Sequence, residues 1–367
     1  MSFSVEPSAL VSYARQLDRA SDDTSAISSY IGTHSKDASG GELIAIAAEG
    51  HRHATAVITD TLRRLTTLLD ASGPELNAAA TYYRQTDLTA AAHLDRTLPG
   101  AAPCQPPTAL EQDAAGIVCT PPPFTDLRDA TGHLTPPPEP ETPPNALGWM
   151  DYLSPTSWAM KGFDIVFGFD PISWLQERMF GNWEALATMQ PVLANSGSAL
   201  YDLALNTQTG AASLRQMWQG QAGEAAYEYF AKLANAVGAL RGPLNDIGRE
   251  YKVVADSVWS ISEALGGVIK GLVDAAIIAG IAAAAGTATS WTGAGAVVGY
   301  GVAAAEIAYM LKLWAQATQL YQHANAAVLT FRAALTKRLG ELESVKLPVL
   351  PGNSGYDHPL ASAGATR

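Results

Sequence analysis

The 367-residue chain carries 35 acidic against 23 basic side chains, a net charge of −12, with no cluster of Lys and Arg. Phosphate binding needs a basic surface that displaces counterions, so this balance argues against nucleic acid as a partner. With 47% apolar residues the chain can bury a core sized for two domains, which excludes disorder throughout. Its alanine-rich composition, with few alternating runs of β-branched and aromatic residues, predicts an all-α fold.

The first twenty residues contain Glu6, Arg15 and Asp18 and no apolar core of signal-peptide length, so general secretion is not indicated. A cytoplasmic protein or a leaderless export route remains. Pro7 suits the first turn of a helix whose inner face carries Leu10, Tyr13, Leu17, Ile27 and Ile31. Gly32 and then Ser39-Gly40-Gly41 are expected to break it. A second helix places Ile44, Ala48, His51, Thr55, Ile58, Leu62, Leu65, Leu69, Ser72, Leu76, Ala79 and Tyr83 at alternating spacings of four and three, a heptad seam along one long helix.

Residues 1–96 therefore read as a helical hairpin, and 97–147 as a proline-rich linker. Thirteen of the 22 prolines lie between Leu98 and Trp149, and proline runs favour extended chain and cannot continue a helix. Cys104 and Cys119, the two cysteines, both lie here. They would form one disulfide in an oxidising compartment and remain two unpaired thiols otherwise.

Residues 148–346 read as a second helical domain. Asp170-Pro171 is a helix start. A helix from about Asn182 to Met217 presents Trp183, Leu186, Leu193, Leu200, Leu203 and Leu214, and stops near Trp218-Gln219-Gly220. The return helix keeps the four-three alternation from Ala226 through Phe230, Val237, Leu244, Tyr251 and Val258 to Leu265. Gly73-Pro74 and Gly242-Pro243 interrupt the two seams at matching offsets from Tyr82 and Tyr251 and should kink them.

From Ala275 to Ala305 there is no charged residue. That length would permit a membrane span, but the composition is mostly Ala and Gly, and Gly295 with Gly299 forms a Gly-x-x-x-Gly pair that lets helices approach closely. Two packed helices broken near Ser290-Trp291-Thr292-Gly293 are expected, with membrane insertion as the alternative. A last amphipathic helix carries Ile307, Leu311, Trp314, Tyr321, Val328, Phe331, Leu335 and Leu342, and 347–367 reads as a flexible tail.

Enzymatic constellations are missing: there is no nucleophile elbow, His-Glu-x-x-His pair, phosphate-binding Gly-rich loop or Cys/His metal spacing. No catalytic residue, cofactor or metal is expected. His51 and His53, two positions apart on a helix, point to different faces, so His51 is expected at the seam edge and His53 in solvent.

Two short motifs remain, Tyr83-Arg84-Gln85-Thr86-Asp87 after the second helix and Trp218-Gln219-Gly220 between two helices. They resemble the paired Tyr-x-x-x-Asp and Trp-x-Gly motifs of substrates of type VII (ESX) secretion systems. Residues 1–96 are similar to the EspC family, although Gly40-Gly41 stands where a Trp-x-Gly turn would be in the WxG proteins. Residues 182–265 resemble a WxG hairpin, with Ala222, Ala225, Ala226 and Phe230 following the turn. There Asp256 comes one place too late after Tyr251 for a second Tyr-x-x-x-Asp. The order of modules is similar to that of EspB-type substrates; the linker and the region after Leu265 are not covered.

The resemblance implies a secreted, non-enzymatic helical protein that acts by binding at the cell envelope or outside. Its expected partners are the ESX secretion ATPase or a chaperone, with another helical-hairpin protein, self-association or a membrane as further partners. A cytoplasmic helical scaffold is a third reading. By the same resemblance Tyr83 and Asp87 would be recognition side chains, Trp218 a partly exposed aromatic anchor, and Gly220 the residue that allows the tight turn. Neither heptad seam should stay in water, since burying an apolar side chain is worth roughly 1.5–3 kcal/mol. The two hairpins are therefore expected to pack on each other within the chain and to bring Tyr83 and Asp87 near Trp218 and Gly220.

Overall fold

The computed structural model describes residues 3–98, 108–117, 124–139, 156–288 and 293–348. Pro7 opens α1 (Pro7–His34), whose buried face includes Leu10, Tyr13, Leu17, Ile27 and Ile31. The helix runs through Gly32, which was expected to break it, and ends where the Ser35 N–H donates to the Ile31 carbonyl. A single glycine costs a helix interior only about 1 kcal/mol, less than the burial of Tyr30 and Ile31 just before it contributes.

After a turn at Gly40-Gly41, α2 (Glu42–Gln85) returns antiparallel to α1. Its expected seam is buried from Ile44 to Tyr83, Thr55 alone being half-exposed. Gly73-Pro74 lies inside the uninterrupted helix. Buried Leu69 and Leu76 pin both flanks, so packing offsets the roughly 3 kcal/mol that an interior proline costs. A short helix, α3 (Leu88–Asp95), follows, with Asp87 as its N-cap.

Parts of the proline-rich stretch are ordered against the bundle. A helix α4 (Ala109–Ile117) lies against the second hairpin, with Leu110 and Ala114 buried. The segment 124–139, with a 3₁₀ turn at Ala130–His133, straps the junction of the first and second hairpins. The Asn206 side chain reads its backbone, accepting from the N–H groups of Leu127 and Arg128 and donating to the Arg128 carbonyl. From the other side Gln16 and Arg19 donate to the Asp126 carboxylate, and Tyr30 donates to the Thr135 carbonyl at 2.7 Å.

In the second domain α5 (Ser157–Phe167) precedes α6 (Pro171–Met179), which Asp170 caps by accepting from Ile172 N–H at 2.9 Å. A single turn, α7 (Glu184–Ala187), leads into α8 (Met189–Met217), so the helix expected from Asn182 is divided at Thr188. The chain turns at Trp218-Gln219-Gly220 into α9 (Gln221–Ala239) and α10 (Arg241–Ala288). The second Gly-Pro pair thus lies in the first turn of α10, just past its junction with α9.

The expected interruption near Ser290–Gly293 falls between the end of α10 and the start of α11 (Gly293–Ser344), which runs back antiparallel along α10. The rings of Tyr251 and Phe331 meet there at 5.2 Å. Gly295 and Gly299 belong to the first turns of α11, but what they pack against lies outside the described residues, as do Cys104 and Cys119. The α11 seam departs from expectation at its start. Leu311 is 50% exposed, while Met310, Leu313, Ala317, Tyr321 and Ala324 are buried. Alanine occupies seam positions there, so large side chains do not mark the register.

The two hairpins pack as an elongated four-helix-bundle-like body: α1 on α2 and α8, α8 on α9 and α10, with α11 added against α2 and α10. Buried His51 on α2 bonds Tyr251 Oη on α10 through Nδ1 at 2.9 Å and meets Ser35 Oγ through Nε2 at 3.3 Å, while His53 is exposed. His51 is therefore a core histidine, and burial lowers its pKa.

Candidate functional site at the junction of the hairpins

α2 carries Tyr83 to its C-terminal end, and α8 delivers Trp218 to the turn of the second hairpin. Packing of α1 on α8 sets these two ends side by side. The rings of Tyr83 and Trp218 meet edge to face, with centroids 5.8 Å apart and planes at 72°. Phe3 approaches Tyr83 from the other side at 6.0 Å. It belongs to the segment whose short strand β1 (Ser4–Val5) pairs antiparallel with β2 (Trp218–Gln219), Val5 opposite Trp218. The chain's first described residues thus tie down the turn.

Tyr83 is 3% exposed and Trp218 0%. Trp218 was expected to be a partly exposed anchor, and the structure corrects this. With α2, Phe3 and β1 closing over it, the indole is a core plug, and a large apolar ring gains most from water when fully covered. Burial pushes the Tyr83 phenol well above its usual range, while a hydrogen bond with Trp218 opposes the shift and the Asp95 charge adds to it.

Asp87 lies on the surface beside this plug. Its carboxylate accepts from the backbone N–H groups of Thr89 at 2.8 Å and Ala90 at 3.1 Å, which starts α3. These bonds favour the ionised form and hold its pKa below the ordinary carboxylate value, the bond from Ala90 contributing most. Leu88 and Leu94 on α3 are 55% and 44% exposed. The junction therefore offers solvent one carboxylate flanked by two leucines above a closed aromatic layer.

Gly220 turns the chain with φ 136° and ψ −179°, a region essentially reserved for glycine. A Cβ on it would lie 2.7 Å from Asp95 Oδ2 and 2.9 Å from the Phe3 ring. Asp95, 3% exposed, accepts from the N–H of Gln221 (Oδ2, 2.9 Å) and of Ala222 (Oδ1, 2.9 Å). It caps the first turn of α9 from another element, satisfying N–H groups that have no partner within the helix and placing negative charge at the positive end of its dipole. Thus Tyr83 meets Trp218 at the turn that Gly220 makes, while Asp87, one turn after Tyr83, starts α3 on the surface. Sequence reasoning missed Asp95 and Phe3, because the partners of Asp95 lie 126 and 127 positions away and no local pattern marks them.

Elsewhere a surface cleft of about 790 Å³ is lined by residues including His51, His53, Arg63 and Glu343. Among the described residues no group of three His, Cys, Asp or Glu side chains is arranged to hold a metal ion. In comparisons with known proteins, no family model, no curated protein and no solved structure matches the chain.

Proposed function

We propose that the chain is a secreted, non-enzymatic substrate of a type VII (ESX) secretion system that acts by protein binding at the cell envelope or outside. The observation that carries this reading is the meeting of Tyr83 and Trp218 across two hairpins, with Asp87 exposed beside them. The two motifs meet at one junction, with the aromatic members buried and Asp87 exposed, which supports reading them together as a bipartite export mark. The secretion ATPase or a chaperone would read Asp87 with Leu88 and Leu94, while Tyr83 and Trp218 hold the hairpins in register. The test is culture filtrate from strains with and without the ESX ATPase. The protein is expected only where the ATPase is intact, and Asp87→Ala is expected to retain it in the cell. Equal amounts outside both strains would refute the reading, and retention in both would favour a cytoplasmic scaffold.

A second reading, insertion into a membrane after export, draws on the far end of the molecule. An 18-residue window within 221–285 has a mean hydropathy of 1.9 and is only 33% buried. Ile278, Ile281, Val302, Tyr309 and Leu311 are all exposed on α10 and α11. Flotation of the purified protein with liposomes tests it. Wild type rising with the vesicles while Ile281→Glu stays below would support insertion, and wild type remaining below would refute it.

A further inference from the structure

The exposed face of α3 belongs to a helix with little to hold it. Eight residues are fewer than an isolated helix needs in water, and Ala91 and Asp95 are its buried residues. They are one turn apart and so share a face, and Leu88 and Leu94 on its two flanks stay exposed. Ala91 offers a methyl group to the core. Asp95 offers two hydrogen bonds, both to the first turn of α9 in the other hairpin, and Gly220 leaves the space its carboxylate occupies.

We propose that Asp95 is a positioning residue, a latch that orders α3, with its exposed Asp87, Leu88 and Leu94, only while the two hairpins are packed together. A partner reading α3 then reads the assembled chain, because separating the hairpins removes the α9 N–H groups that fix it. This rests on the export reading above and deepens it: the machinery that binds α3 is offered a folded pair of hairpins rather than an unfolded tail. The latch couples a surface element to the interface beneath it, so that recognition doubles as a check on assembly.

Hydrogen exchange on the full chain separates the latch from the export reading. In Asp95→Ala the amides of α3 are expected to exchange at least tenfold faster, with those of α1 and α8 unchanged. In Asp95→Asn, which keeps one acceptor and turns an amide donor towards the other N–H, exchange should rise less, by about threefold. Where Asp95→Ala lowers the melting temperature of the whole chain, Asp95→Ser, with one acceptor on a shorter arm, serves in its place. Export should follow the same order, falling at least tenfold for Asp95→Ala and persisting for Asp95→Asn. Unchanged α3 exchange in the alanine variant overturns the latch. Faster exchange with normal export, while Asp87→Ala blocks export, overturns coupling to recognition and leaves the export reading standing. Normal export of the Asp87→Ala, Tyr83→Ala and Asp95→Ala variants together overturns both.

Discussion

Replacing Gly220 by alanine tests the geometry of the junction most directly. The residue sits at φ 136° and ψ −179°, and holding a non-glycine residue in such a region costs on the order of 1–3 kcal/mol. The new methyl group would also press on Asp95 Oδ2 and the Phe3 ring. Pushing Asp95 aside forfeits a helix cap worth about 1 kcal/mol. Together these predict a loss of roughly 2–4 kcal/mol. At an unfolding entropy of ~2.1 cal/mol/K per residue, this lowers the melting temperature of a chain this long by about 3–5 °C. Differential scanning calorimetry of the two purified proteins measures it. The double variant sharpens the test: if Gly220 makes room for Asp95, adding Asp95→Ala to Gly220→Ala should cost at least about 0.5 kcal/mol less than the single losses would give by addition. A Gly220→Ala protein melting within about 1 °C of wild type, or strict additivity of the two changes, would refute the reasoning.

Tyr83→Phe keeps the ring and removes the buried hydroxyl, and should cost about 1–3 kcal/mol by denaturant melting, against roughly 3–5 kcal/mol for Tyr83→Ala; equal losses would show that the hydroxyl, not the ring, dominates. Asp23 is raised from 3.8 to about 6 by burial first, then by the charges of Asp126, Asp129 and Asp22, with Arg19 opposing. The folded chain therefore binds more protons than the unfolded one between about pH 4 and 6, so this group's contribution to stability grows as pH falls through 6 and is lost as it rises again. The melting temperature of Asp23→Asn relative to wild type should be higher at pH 7.5 than at pH 5; a pH-independent difference would exclude this role. At the contact of α5 and α10 a Cβ on Gly162 would overlap the Ala276 carbonyl; Gly162→Ala should destabilise by ~1–3 kcal/mol, and an unchanged midpoint would show that the helices separate freely. In exported protein Cys104 and Cys119 should be bridged, closing a short loop worth roughly 3 kcal/mol in the chain-entropy model; two free thiols in non-reducing peptide maps would remove that expectation.

The amino-acid sequence by itself determined the helical class, the two seams and the turn at Trp218. A heptad seam is a local periodicity, so each helix can be read without its partner, and nearly every residue assigned to the α2 and α9–α10 seams is buried. It failed where alanine carries the seam, as at Ala317 and Ala324, because a methyl group marks no register. It also misjudged Gly32, where packing outweighs an intrinsic helix-breaking cost of about 1 kcal/mol. The site divides along the same line. Tyr83, Asp87, Trp218 and Gly220 stood out as short motifs, but how far each would be exposed did not. Whether an indole projects into solvent depends on what closes over it, here Tyr83 and β1, both distant from it in the chain. Tertiary structure alone decided that Trp218 is a plug, that Asp87 is the exposed member of the set, and that Asp95 caps α9, because each depends on groups far apart in the chain that only packing of the two hairpins brings within contact or hydrogen-bond distance.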